Sequence, residues 1–265
     1  MGLFKRVIIS RVIAMYPVLF ELGPITFYSY GLMIGLGFVA GVLVASRRAE
    51  MKGIDPDSLF WFILALLAGG VVGGRLFHIA LNSWHYTDWK SVLDTRNGGL
   101  SIHGVLMGGL VAAAAYSRFR LTKLTELLDL VVPGVALGQA IGRIGCLLSG
   151  CCYGMETSGT WGFATRFAPG LRHPYPLYES VADFLLFLTL IALAKRIRVS
   201  GGLFLVYAFG YSVIRFFLEF VRDNSAYVLG LSYAQWGSLA AALVALGVYV
   251  YVTAKEKSPL GSEVP

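Results

Sequence analysis

Seven stretches of about twenty predominantly apolar residues, separated by short polar segments, constrain this chain more than any other feature. They cover roughly 26 to 46, 58 to 81, 98 to 117, 124 to 149, 176 to 195, 202 to 221 and 232 to 253. A helix rises about 1.5 Å per residue, so each run can cross the roughly 30 Å hydrocarbon core of a bilayer. With 57% apolar residues and only 14% charged, the chain cannot present a conventional charged surface to water. The expected fold class is all-α: one polytopic membrane domain over 1–265, with about seven transmembrane helices and an ordered outer-face loop region at 150–175.

The first segment, Met1 to Phe20, carries Lys5, Arg6 and Arg11. Arg11 interrupts its apolar core and no small-residue cleavage site follows, which predicts an interfacial helix rather than a signal peptide. A net charge of +7 would raise nucleic acid as the partner of a soluble protein. Here the basic residues gather in short loops between apolar runs, and no nucleic-acid partner is expected. The ends at 47–52, 118–123, 195–198 and 255–257 hold eleven Lys and Arg against eight on the opposite face, so that side, with the C-terminus, is expected to be cytoplasmic. Three of the eight stand in the N-terminal segment and count against this orientation. Glycines recur at helical spacing as Gly37 and Gly41, Gly70 and Gly74, and Gly134, Gly138 and Gly142, which predicts close helix packing.

An ionised side chain inside lipid is costly and normally faces a cavity or a partner. The intramembrane candidates are Arg75, His103, Arg143, Arg215 and Glu219. Counted from each helix's expected outer end, Arg75, His103, Arg143 and Arg215 lie roughly 7 to 11 Å below the outer surface, with Tyr30 at a similar depth. An outer-leaflet phospholipid holds its phosphate in that layer, so an anionic headgroup is the natural ligand. Arginine's planar fork suits it, because two parallel hydrogen bonds reach one phosphate. Tyr211, Arg215 and Glu219 are spaced i, i+4, i+8, with Arg222 three residues on, and Gln139 shares a face with Arg143. His103 titrates near neutral pH and is a candidate base. Taken singly, each arginine could instead snorkel or tie helices together through a buried pair, and His103 could be a packing residue.

All three cysteines, Cys146, Cys151 and Cys152, fall in one stretch whose spacing matches no common zinc or haem motif. Packed helix-end residues, a disulfide on an oxidising outer side and a catalytic thiol all remain open. No disulfide framework is expected.

The segment Leu137-Gly138-Gln139-Ala140-Ile141-Gly142-Arg143-Ile144-Gly145, closing with Gly150 and Gly154, resembles the signature of prolipoprotein diacylglyceryl transferases. Further matches in family order are Tyr30-Gly31-Leu32-Met33, Gly74-Arg75-Leu76, Ser101-Ile102-His103-Gly104, Arg172-His173-Pro174 with Leu177-Tyr178-Glu179, and Arg215 to Phe220 with Arg222. The resemblance implies a multi-pass enzyme of the bacterial cytoplasmic (inner) membrane, acting in the outer half of the bilayer. It would move the diacylglyceryl group of phosphatidylglycerol onto the lipobox cysteine of a preprolipoprotein signal peptide, forming a thioether and releasing glycerol phosphate. No metal or soluble cofactor is implied; phosphatidylglycerol, the preprolipoprotein and membrane lipid are the implied partners. The likeness also implies that His103, Arg143 and Arg215 are catalytic, with Tyr30, Gly104, Gly154, Tyr211 and Glu219 around them; Arg75 and Gln139 join as substrate-binding candidates from the depth and face arguments.

This sequence departs from the family pattern at Cys146, where Asn is usual, and at Cys151, where Glu is usual. Val105 stands where a second Gly normally follows His103, and Pro176 where Gln normally precedes Leu-Tyr-Glu. Two other readings therefore stay open: a divergent paralogue using the same lipid clamp with another acceptor, and a non-catalytic phospholipid-binding membrane protein. A transporter should carry paired broken helices or a pseudo-repeat, and neither is evident.

Overall fold

The computed structural model describes residues 15–23, 25–86, 88, 92, 98–120, 123–223 and 227–257. Seven long helices dominate them: α1 Ser29–Met51, α2 Pro56–Leu81, α3 Ile102–Arg120, α4 Leu124–Ser149, α5 Tyr175–Leu193, α6 Gly202–Leu218 and α7 Tyr233–Lys257. Each falls on one of the seven apolar runs. By length and composition, six of them suffice to cross a membrane. The helix outside that group is α3, 19 residues long, in which His103, Ser117, Arg118 and Arg120 dilute the apolar content.

Before α1 the chain forms an antiparallel hairpin, β1 Val18–Leu22 with β2 Ile25–Tyr28, closed by Gly23 in the left-handed region at φ +59°. The rings of Phe20 and Phe27 stack across it at 4.5 Å. The interfacial helix expected over residues 1 to 20 is corrected only at its end, where Val18–Phe20 are strand. Its first fourteen residues lie outside the described ones, and Val18–Leu22 cannot be helical because their backbone pairs with Ile25–Tyr28. Between α4 and α5 runs a second hairpin, β3 Phe163–Thr165 with β4 Ala168–Arg172, and before α7 a short third, β5 Tyr227–Val228 with β6 Leu231–Ser232.

Two compact units emerge, Ala45–Leu130 in one and the flanking chain in the other. In the smaller unit α2 packs along α3, and Cβ atoms are absent where the backbones touch. A Cβ on Gly73 would meet the Gly104 carbonyl oxygen at 2.4 Å, and one on Gly108 would meet that of Gly69 at 2.2 Å. The seam uses Gly69 and Gly73 against backbone together with the expected Gly70 and Gly74, which are buried facing the Val105 side chain. Arg48 is buried here, donating from Nη2 to the Asp129 carbonyl at 3.0 Å and from Nε to that of Leu130 at 3.1 Å. Pro133 has no N–H for the Asp129 carbonyl four residues earlier, so the guanidinium satisfies an acceptor that the helix leaves open.

In the larger unit α1 crosses α4 through Gly37 against Gly138 and Gly41 against Gly134. The core joins Val132 and Ala136 of α4, Leu186 and Leu190 of α5, and Leu203 of α6. Ser180 of α5 donates to the Ala140 carbonyl of α4 at 2.8 Å, locking the register of the two helices. Helix α6 packs against both α5 and α7. Large apolar side chains such as Leu43, Val181, Leu185, Leu243 and Val244 point outward, as lipid-facing positions require.

Candidate active site

In the larger unit, α4, α5, α6 and the turn after α6 bring five charged side chains into one connected group. Arg143 of α4 pairs with Glu179 of α5, Nη2 to Oε1 at 2.7 Å, and Glu179 is 1% exposed. Arg215 of α6 pairs with Glu219 one turn on, Nη2 to Oε2 at 3.0 Å, and Arg222 approaches the same oxygen at 3.7 Å. Glu219 opens a 3₁₀ turn, Glu219–Val221, whose tightness brings Arg222 back toward its carboxylate.

Tyr175 and Glu179 lie four residues apart on α5 and join the two pairs. Arg215 donates to the Tyr175 hydroxyl, and the guanidinium carbons of Arg215 and Arg222 lie 6.0 and 5.6 Å from the fully buried Tyr175 ring. Glu179 has all three arginines, Arg143, Arg215 and Arg222, as charge neighbours. The far oxygen of Glu219 accepts from the Ser232 hydroxyl at 3.2 Å. Ser232 is itself the N-cap of α7: its Oγ accepts from the Gln235 N–H at 3.2 Å while its own N–H donates to Gln235 Oε1 at 2.8 Å. That reciprocal capping box fixes the hydroxyl that holds the carboxylate.

Three guanidinium charges meet two carboxylates in these ion pairs, with a third carboxyl, Asp183, beside Glu179 and Arg143. Such a group can accept a singly charged anion, with carboxylates that neutralise the arginines until it arrives.

The other expected site residues of this unit lie around the group. Gln139 Oε1 accepts from Tyr207 Oη at 2.7 Å, and the Tyr207 and Tyr211 rings stack at 6.0 Å. Tyr211 has Arg143 and Glu179 as charge neighbours. Tyr30, in the first turn of α1, is half exposed and has Arg143 and the three cysteines as charge neighbours. Gly154 donates its N–H to the His173 carbonyl at 3.0 Å and bridges to Arg222; a Cβ there would meet the Val221 carbonyl oxygen at 2.5 Å. The glycine therefore lets the loop after α4 lie against the segment that carries Arg222.

Arg75, His103 and Gly104 belong to the smaller unit. Arg75 donates to three carbonyls of the following loop, from Nε to Val92 at 2.8 Å and from Nη1 to Gly98 at 3.2 Å and Gly99 at 3.1 Å, and lies 5.0 Å from the Tyr86 ring. His103 sits exposed in the first turn of α3, its ring 6.3 Å from that of Phe77. Gly104 is buried against the Gly73 carbonyl and Phe77. His78, in the last turn of α2, bonds through Nδ1 to Tyr86 Oη at 2.8 Å.

Several participants escaped the sequence reading. Glu179 and Asp183 both lie inside the expected run 176 to 195, where two carboxylates in lipid are themselves a signal. Asp183 is fully buried, and neither oxygen has a hydrogen-bond partner among the described residues. Tyr175 falls one residue before that run. Ser232 and Gln235 form a Ser-x-x-Gln helix start that was legible in the sequence.

A family model described as prolipoprotein diacylglyceryl transferase matches residues 17–251. The chain is 36% identical over 243 residues to the phosphatidylglycerol–prolipoprotein diacylglyceryl transferase of Clostridium tetani, an alignment covering 89% of this chain and 97% of that protein. It is 34% identical over 249 residues to that of Dehalococcoides mccartyi, covering 91% and 95%, and 31% identical over 248 residues to that of Clostridioides difficile, covering 93% and 99%. A match across almost the whole length, spanning both units and the arginine–carboxylate group, leads to one conclusion: this chain belongs to the prolipoprotein diacylglyceryl transferase family.

Proposed function

We propose that this chain transfers the diacylglyceryl group of phosphatidylglycerol to a cysteine thiol of a prolipoprotein, the substrates carried in its relatives' names. The acceptor is the lipobox cysteine of the signal peptide, and the enzyme works in the outer half of the bacterial cytoplasmic membrane with its C-terminus cytoplasmic. The gathering of Arg143, Arg215 and Arg222 in one group carries the reading, because guanidiniums held by exchangeable carboxylates suit the charge of a phosphodiester headgroup.

The nucleophile is the acceptor's thiolate. Its sulfur attacks the glycerol carbon that bears the phosphate; the C–S bond forms as the C–O bond breaks, and the bonding pair leaves on the phosphate oxygen. A phosphodiester with one charge thereby becomes a phosphomonoester with two. Arg143 and Arg215 are aimed at that second charge, an effect that counts most where water is excluded. His103 is assigned the acceptor's thiol proton. Tyr30, Gln139 and Tyr211 are assigned to the lipid site, and Gly154 allows the backbone approach beside Arg222; Gly104, through the α2–α3 seam, and Arg75, through the carbonyls it holds, are assigned supporting roles.

The test is incubation of the purified full-length protein with labelled phosphatidylglycerol and a lipobox peptide, read by product mass. A peptide heavier by one diacylglyceryl group, absent when the peptide's cysteine is replaced by serine, is expected. Bound phosphatidylglycerol without any thioether would refute the transferase reading, and a lipidated product on another acceptor would favour the divergent paralogue.

A further inference from the structure

The end of α4 gathers three thiols, and the reason is a helix cap. Gly150, at φ +74°, leaves the helix in the left-handed region. Its N–H donates to the Leu147 carbonyl at 3.1 Å, and the Cys151 N–H donates to the Cys146 carbonyl, also at 3.1 Å. These two bonds form a Schellman cap, which sets the residue three positions before the cap beside the second residue past it. Those two residues are usually an apolar pair; here they are Cys146 and Cys151. Cys152 is also left-handed, at φ 58°, a conformation uncommon for any residue but glycine. The three sulfurs lie within 4.8 Å of one another. No spacing rule for metal motifs covers this arrangement, because the cap, and not a knuckle or hairpin, closes it.

All three thiols are free, Cys146 buried and the other two half-buried. Cys152 has Arg143 and Arg222 as charge neighbours, and Arg143 also neighbours Cys146. We infer that Cys146, Cys151 and Cys152 form a binding site for one thiophilic d10 metal ion, of which zinc(II) is the representative, beside the Arg143 cluster.

The donor set supports this. An all-sulfur site selects soft ions and discriminates against magnesium and calcium. Zinc–sulfur bonds of about 2.3 Å place thiolates roughly 3.8 Å apart in a tetrahedral arrangement, so the trio needs to close by about 1 Å or less. Cys151 and Cys152 stand on the loop after the helix and can supply that movement. Binding exchanges three S–H bonds for three metal–sulfur bonds and releases three protons to buffer, with no oxidation. Three thiolates around a divalent ion leave one negative charge, which Arg143 and Arg222 flank. Zinc retains a fourth position for water or another donor.

This inference stands apart from the transferase activity and is tested without it. Full-length protein in detergent, reduced and cleared of metal by a chelator, is titrated with cadmium(II), whose thiolate charge-transfer absorbance reports binding. The expected result is saturation at one cadmium per chain and displacement by zinc. The half-buried Cys151 and Cys152 should react with iodoacetamide in metal-free protein, and bound metal should protect them. Cys151→Ser and Cys152→Ser should each weaken binding by about tenfold or more. Absence of saturable binding, equal affinity in the Cys151→Ser/Cys152→Ser protein, or unprotected thiols in the loaded wild type would overturn the site. So would isolation of the protein two hydrogens lighter with a single reactive thiol, which would identify a disulfide pair instead.

Discussion

Arg75 in the smaller unit and Arg143 and Arg215 in the larger one satisfy the same criterion in sequence, an arginine inside an apolar run, yet their contacts among the described residues differ. Arg75 donates to the neutral carbonyls of Val92, Gly98 and Gly99. Arg143 and Arg215 are held by the carboxylates Glu179 and Glu219. Carbonyl partners tie down a loop, whereas a carboxylate can be exchanged for another anion without leaving the arginine unpaired. Depth alone identifies arginines that need a partner; the ion pairs with Glu179 and Glu219 are what mark Arg143 and Arg215 as candidates for the anion site.

The sharpest way to break this comparison is to remove the exchangeable arginines. Arg143→Ala and Arg215→Ala should each lower the rate of transfer by about 10²–10³-fold, the usual loss when one donor to a developing charge is deleted. Arg143→Ala removes the ion-pair partner of the buried Glu179, so a stability loss of about 3–5 kcal/mol should appear in its denaturation; Arg215→Ala should lose less, because Glu219 keeps Arg222 and the Ser232 hydroxyl. Glu219→Gln should have a smaller effect. It keeps an acceptor for Ser232 but frees Arg215 and Arg222 of their counter-charge, so KM for phosphatidylglycerol should fall while kcat drops about tenfold as the arginines lose their fixed position. A rise in KM would contradict the idea that the carboxylate competes with the lipid phosphate.

Arg75→Ala tests the other side. It removes charge-assisted bonds to three carbonyls, and the cost should appear as about 1–3 kcal/mol of thermal stability with a transfer rate within tenfold of wild type. The smallest expected effect is that of Tyr175→Phe, which deletes the hydroxyl that accepts from Arg215 but leaves the ring between the two guanidiniums. A rate change of several-fold, about 1 kcal/mol, should follow, measured as kcat at saturating lipid.

The helices were legible because lipid leaves few alternatives: a run of twenty apolar residues must satisfy its own backbone, and all seven runs carry helices. Glycine spacing identified the α1–α4 contact at Gly41 and Gly134 and the α2–α3 packing at Gly70 and Gly74, to which the structure adds Gly69 and Gly73. The hairpin Val18–Leu22 with Ile25–Tyr28 was hidden because an apolar stretch interrupted by charges reads equally as a helix or as strands. Within the candidate site the cations and the counter-ion Glu219 stood out, whereas Glu179 was not singled out as the partner of Arg143, since a search for phosphate ligands passes over carboxylates. Glu179 and Asp183 were nevertheless four residues apart inside one apolar run. The three cysteines required the cap: Gly150 at φ +74° makes neighbours of Cys146 and Cys151, and no ligand-spacing pattern encodes that.

The most direct test of the central claim compares initial rates of thioether formation for Arg143→Ala, Arg215→Ala and Arg75→Ala in the same lipid nanodiscs. The account predicts that the first two fall by about 100-fold or more while Arg75→Ala stays within tenfold of wild type. Equal losses in all three, or a larger loss in Arg75→Ala, would contradict the assignment of the anion site to the arginines paired with Glu179 and Glu219.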